Sequence, residues 1–243
     1  MSTYGKQIYE HNLLAIGEGD VTDHLPVLKF GYNPQISNGS TESVWLYGGL
    51  YPWSAFDGGA VTLYLKSTSA SDTETIVVEG LDANYDQIQE TVTLTGTTAV
   101  ATTNAFIRVS RMRISGSEVN VGDITAHAGS AGGTVVSDIG VGYGQTLKGT
   151  YTIPNGYYGM MMDLSVRTGR GDDVLLEAYK REPGEAFRIF HLTEIYENMY
   201  RHDYVLPKVF PPKTDIDIRV TAQTQNVSCS VNFDLILVHE SGY

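Results

Sequence analysis

The sequence predicts an all-β protein: two antiparallel β-modules, the C-terminal one sandwich or jelly-roll-like, behind an extended N-terminal arm. Three observations carry that prediction. Short β-branched runs recur between Ser, Asp and Gly turns from residue 61 onward. Apolar and polar residues alternate strictly near the C-terminus, the period of a strand and not of a helix. The 26 Gly and 16 Tyr among 243 residues suit turns and pleated, half-buried surfaces. A chain of this length can bury one large core or two modest ones.

Residues 1–53 show no sustained period and carry scattered His, Pro, Gly and Asn, so they read as an arm that wraps a neighbour or the chain's own core. The aromatics Trp45, Tyr47, Tyr51 and Trp53 surround the pair Gly48-Gly49. Such a stretch is too apolar to lie uncovered in water. It either plugs the first module or contacts another subunit, which makes these four residues the interface candidates.

Residues 54–128 form the first module, with strands expected at Val61–Lys66, Thr75–Glu79, Glu90–Leu94, one long strand at Ala105–Ser115, and Asn120–His127. Residues 129–144 are Gly-rich and read as a linker between modules, or as a long loop reaching a partner.

Residues 145–243 form the second module. Ile216, Ile218, Val220 and Ala222 alternate with Asp215, Asp217, Arg219 and Thr221, which predicts one buried and one wet face. After the turn Gln223–Asn226, Val227, Cys229, Val231, Phe233, Leu235 and Leu237 share the next apolar face, and the two strands read as a hairpin. A second hairpin is expected from Tyr157–Thr168 and Val174–Lys180 across Gly169–Asp172, with further strands at Ala186–Thr193 and Tyr200–Leu206. Glu194–Met199 reads as a short helix.

The formal net charge is -12, and such an excess of carboxylate repels phosphate backbones and anionic lipid. No nucleic-acid partner is expected. Arg108, Arg111 and Arg113 are the nearest thing to a basic patch, and at period two only Arg111 and Arg113 share a face. Cys229 is the single cysteine, so no intrachain disulfide is possible, and its apolar neighbours predict a buried, inert thiol. There is no apolar run of eighteen residues and no signal-peptide pattern at Met1–Leu14. Synthesis in the cytoplasm and no membrane association are the expectation.

No spacing announces catalysis, and no catalytic residue, metal ligand or cofactor is expected. Gly140-Val-Gly142-Tyr-Gly144 lacks the third-glycine spacing of a dinucleotide loop. Asp82-Ala-Asn84-Tyr-Asp86 opens like a calcium loop, but Gln87 and Thr93 occupy the glycine and bidentate-glutamate positions, so an Asx turn is expected. Ala128–Gly132 approaches a nucleophile elbow without the helix that must follow it. The six histidines are dispersed, Arg170-Gly171-Asp172 reads as a hairpin tip, and the sequons at Asn38 and Asn226 matter only after secretion.

The stretch VWLYGGLYPW from Val44, the run LYLKSTSASDTETIVVEGLDANYDQIQETVTLTGTTAVATTNAFIRVSRMRI from Leu63, and NVGDITA from Asn120 together resemble virion structural proteins of tailed bacteriophages, especially marine and cyanobacterial ones. YTIPNGYYG from Tyr151 and PPKTDIDIRVTA from Pro211 are similar in character, so the resemblance covers about two-thirds of the chain. It implies a component of an assembled particle, located in the virion as a capsid decoration or cement protein, a head-fibre base, or a neck or tail part. It implies other virion proteins as partners, the major capsid protein first, and a homo-oligomer with a trimer favoured. No catalytic residues come with the resemblance. Two alternatives stand beside the decoration reading. One is a glycan- or receptor-binding β-sandwich of a fibre, with Trp45, Trp53 and tyrosines stacking on sugar rings. The other is a double jelly-roll-like capsid protein.

Overall fold

The computed structural model describes residues 13–169, 171–196 and 198–242, and within them the chain is almost wholly β. The strands are β1 (His24–Ile36), β2 (Thr41–Ser43), β3 (Val61–Ser67), β4 (Thr75–Leu81), β5 (Gln87–Thr93), β6 (Val100–Phe106), β7 (Arg108–Ser115) and β8 (Ile124–Ala128). They continue as β9 (Val135–Ile139), β10 (Thr150–Thr152), β11 (Tyr157–Thr168), β12 (Val174–Arg181), β13 (Arg188–Ile195), β14 (Met199–Phe210), β15 (Asp215–Ala222) and β16 (Val227–His239). Trp53–Phe56 makes a single 3₁₀ turn.

Two sheets form the larger body, in the orders β1-β16-β11-β14 (front) and β10-β15-β12-β13 (back), with β2 also paired to β15. β2 meets Arg219–Thr221 and β10 meets Asp215–Asp217, so the two are halves of one interrupted strand along the same partner. Counted that way, first pairs with last (β1 with β16), second with seventh (β2 and β10 with β15), third with sixth (β11 with β14) and fourth with fifth (β12 with β13). The nested ladder is rolled so that β16 also pairs β11 and β15 also pairs β12. This is the connectivity of a jelly roll. Its core holds Met161, Leu164 and Val166 from β11, Ile216, Ile218 and Val220 from β15, and Val231, Phe233 and Leu235 from β16.

The second body is inserted into the interrupted strand. It is a sandwich of a four-stranded sheet, β6-β3-β8-β9, on a three-stranded one, β5-β4-β7. Leu63 and Leu65, Ile76 and Val78, Met112 and Ile114, and Ile124 and Ala126 fill its centre.

Several expectations are corrected. The stretch 1–53 contains β1, which pairs β16 from His24↔Val238 to Ile36↔Val227 and so is an integral jelly-roll strand, while residues 13–18 are helical. The expected linker 129–144 contains β9, fully buried in the inserted sandwich, because a tight turn at Ala128–Gly133 returns the chain beside β8. The long strand at Ala105–Ser115 breaks at Ile107 into β6 and β7, which belong to different sheets. Neither predicted hairpin of the second module forms. β15 and β16, like β11 and β12, lie in opposite sheets, because two strands with one apolar face each satisfy it equally well across a sandwich as side by side. Glu194 and Ile195 end β13, and Asn198 in the left-handed region (φ 75°) turns directly into β14, so no helix forms at the described positions there. The two modules are one jelly roll and one inserted sandwich, and not two tandem jelly rolls.

Candidate functional site

The insertion leaves and re-enters the jelly roll through a narrow neck. Gly149 N donates to Val44 O (2.8 Å), Leu46 N to Leu147 O (3.2 Å), and Trp45 pairs with Lys148. β1 crosses this neck at Gly31, where an added Cβ would sit 2.4 Å from Val44 O and 2.4 Å from Gly149 N. Only hydrogen fits there.

The outward face of the back sheet, expected to be wet, lies beneath the insertion: Asp215 is 2% exposed and Asp217 is fully buried. Arg108 of β7 reaches down with Nε 2.8 Å from Asp215 Oδ1 and Nη2 2.9 Å from Oδ2. Arg181 Nη2 (2.6 Å) and Thr152 Oγ1 (2.6 Å) donate to the same carboxylate. Asp217 Oδ2 accepts from Trp53 Nε1 (3.0 Å) and Arg219 Nε (2.8 Å). The carboxylate bonded to Arg108 holds that guanidinium's pKa up against the opposing effect of burial. Paired, multiply hydrogen-bonded charges are the form in which ions are tolerated inside a protein.

Aromatic rings are interleaved with these cations. Arg108 lies 5.3 Å from the Trp53 ring centroid, Arg181 4.5 Å from Phe187, and Arg219 4.3 Å from Tyr179. Lys148, 1% exposed, sits 4.7 Å over Tyr51 and donates to Val109 O (2.7 Å) and Val136 O (3.2 Å). Burial and the facing Lys29 ammonium lower the Lys148 pKa, while burial pushes the Asp138 carboxyl up to about 7 against the pull of Lys148. The Tyr51 hydroxyl and Asp217 Oδ1 are buried with no hydrogen-bond partner among the described residues.

The four interface candidates therefore separate. Trp45, Tyr51 and Trp53 are 1%, 4% and 6% exposed and form, with Val135 and Phe187, the apolar centre of the junction. They join two parts of one chain, while Tyr47, 55% exposed, lies at their rim with its ring centroid 5.3 Å from that of Trp45. Sequence reasoning missed Arg108, Lys148, Asp215 and Asp217 as partners, because nothing local marks residues so far apart as neighbours. Arg108 points into the junction, whereas Arg111 meets Gln145 and Arg113 meets Glu79.

Beside the buried network a cleft of about 660 Å³ opens between β1 and β10 on one side and β4, β5 and β7 on the other. Val27, Leu28 and Ile88 supply apolar wall, and Lys29, Arg111 and Glu79 supply charge. Lys29 Nζ spans it to Ser110 O at 2.8 Å. Burial, then the Arg111 guanidinium, lowers Lys29 to about 8, with Glu79 pulling the other way.

At the opposite edge of the front sheet, one β11 residue, Met162, faces four β14 residues between the pairs Met161↔Lys208 and Asp163↔Asp203. The bulge exposes Val205 and Leu206 by 88% and 84%. Inside this edge His191 and His202, dispersed in sequence, come within 5.1 Å between ring centroids, and His191 Nε2 lies 2.9 Å from the Tyr200 hydroxyl. Among the described residues no three His, Cys, Asp or Glu side chains converge as a metal site, and no helix is long and apolar enough to cross a membrane. Asp82 Oδ1 accepts from the amides of Asn84 (2.8 Å) and Asp86 (3.0 Å), an Asx turn. Cys229 is buried, which pushes its thiol up to about 12. Asp172 is buried and Gly171 has φ 80°, while Arg170 lies outside the described residues.

No protein-family model and no curated protein matches the chain. Solved structures give slight likenesses. An infectious bursal disease virus Gt strain structure is 11% identical with a TM-score of 0.25, covering 91% of this chain and 74% of that one. The infectious bursal disease virus VP2 subviral particle is 9% identical with a TM-score of 0.23, covering 92% and 74%. At these scores the likeness carries neither fold nor function to this chain.

Proposed function

We propose that this chain is a structural component of a virus particle, a capsid decoration or cement subunit that acts by binding and not by catalysis. The observation that carries the reading is the locked insertion. A jelly roll serves viral shells, lectins and cupins alike, so fold alone does not select a function. Here a second sandwich is spliced into one jelly-roll strand and fixed to it by the Arg108–Asp215–Arg181 cluster and the Trp45–Tyr51–Trp53 core. The subunit is thus a two-bodied rigid block, suited to holding surfaces at a set spacing. The resemblance of the sequence to tailed-phage virion proteins points the same way. The glycan-binding alternative loses both of its tryptophans, since Trp45 and Trp53 are buried, and keeps only exposed tyrosines such as Tyr47.

A cement subunit binds the assembled lattice and not the dissociated shell, so it stabilises by mass action. Add-back to particles prepared without it tests this. The particle's disruption temperature should rise with saturation at an integer number of copies per shell subunit. Failure to bind, or binding with an unchanged disruption temperature, rejects the cement role.

A further inference from the structure

We propose that copies of this chain join head to tail, the Val205–Leu206 bulge of one copy seating in the cleft between β1 and the inserted sandwich of the next. The inference rests on the virion reading above, and supplies the contact by which its subunits close on themselves.

The knob and the hole lie at opposite edges of one sheet. β14 and β1 are the two edge strands of the order β1-β16-β11-β14. A contact between unlike surfaces on opposite edges repeats from copy to copy and closes into a ring when the rotation permits. Val205 and Leu206 are the most exposed large apolar residues of the described chain. Two adjacent aliphatics this exposed stand apart from apolar residues scattered singly over a surface. The hole is apolar where the knob needs it, with Val27, Leu28 and Ile88 on its wall and Leu28 itself 71% exposed. Its volume of about 660 Å³ admits both side chains with their main chain.

Charge matches as well. Beside the knob, Asp163, Asp203 and Asp234 stand against two cations, Lys208 and Arg201, the latter binding Asp163 (3.1 Å) and Asp203 (2.9 Å). In the cleft Lys29 and Arg111 donate to neutral oxygens, of Ser110 and Gln145, while Glu79 is taken by Arg113. A flank with one acid in excess thus faces a cleft with one cation in excess, in a chain whose overall charge of -12 would otherwise keep copies apart.

The test is light-scattering mass of the full chain in three forms: unaltered, Val205→Asp with Leu206→Asp, and Leu28→Asp with Gln89→Asp. The unaltered chain should form a closed multiple of 26.6 kDa. Each variant alone should run as a monomer with unchanged circular dichroism, and an equimolar mixture should give a dimer, because one intact knob and one intact hole remain. If a variant loses its circular dichroism, the milder pairs Val205→Ser with Leu206→Ser, or Leu28→Ser alone, take its place. An unaltered chain that stays monomeric, or either variant keeping the oligomeric mass, overturns the proposal. The virion reading fails separately, by absence of the chain from purified particles.

Discussion

Arg108 and Asp215 lie 107 residues apart and form a two-pronged buried ion pair, with contacts of 2.8 and 2.9 Å, that fastens the inserted sandwich to the jelly roll. Arg181, Thr152 and the Trp53 ring gather around the same pair.

Replacing Arg108 with Met leaves Asp215 buried with Arg181 and Thr152 alone. Removing one partner of a buried pair costs about 3–5 kcal/mol, and the surviving Arg181 keeps the loss near the lower end. Urea unfolding of Arg108→Met should show the midpoint lowered accordingly. The double variant Arg108→Met with Asp215→Leu should recover part of the loss, since no uncompensated charge remains.

Lys29 gives the chain a pH signature. Its pKa falls from 10.5 unfolded to about 8 folded. Below pH 8 both states hold the proton and the cost of burying the charge is borne in full. Between 8 and 10.5 the unfolded state holds more protons, so stability rises with pH. The difference in urea midpoint between the native chain and Lys29→Met, followed from pH 7 to 11, should shift in favour of the native chain across that window. A flat difference would refute the assignment.

Gly31→Ala should destabilise by about 2 kcal/mol or more, because its Cβ would meet backbone on both sides of the neck. Gly132→Ala has nothing within 4 Å of its Cβ and serves as the control. Thermal unfolding should separate the two, with only the first lowered.

Deleting residues 1–43 removes β1 and β2 and uncovers one edge of β16. The truncated chain should aggregate or lose its β circular dichroism, where a detachable arm would leave the remainder folded.

Much of the fold was legible because period-two alternation is local. The apolar faces of β15 and β16 read directly from Ile216 to Ala222 and Val227 to Leu237. Which strand lies beside which was not legible, because a sandwich offers an apolar face two satisfactory positions, across the core or alongside. The junction was hidden for a further reason. Asp215, Asp217 and Arg219 carry the sequence pattern of a solvated face, and only the insertion returning through Gly149 reveals that Arg108 and Trp53 replace the water. The aromatics Trp45 to Trp53 did announce a covered surface, and the cover is the chain itself. β1 was overlooked because Pro26, Gly31 and Pro34 interrupt its alternation, which an edge strand tolerates.

The most direct test of the proposed virion role is quantitative mass spectrometry of virus particles purified from the source of this chain. The account predicts the protein at a fixed integer ratio to the major shell subunit, retained through washing that strips adventitious proteins. Absence from the particles, or a trace amount that washing removes, would contradict it.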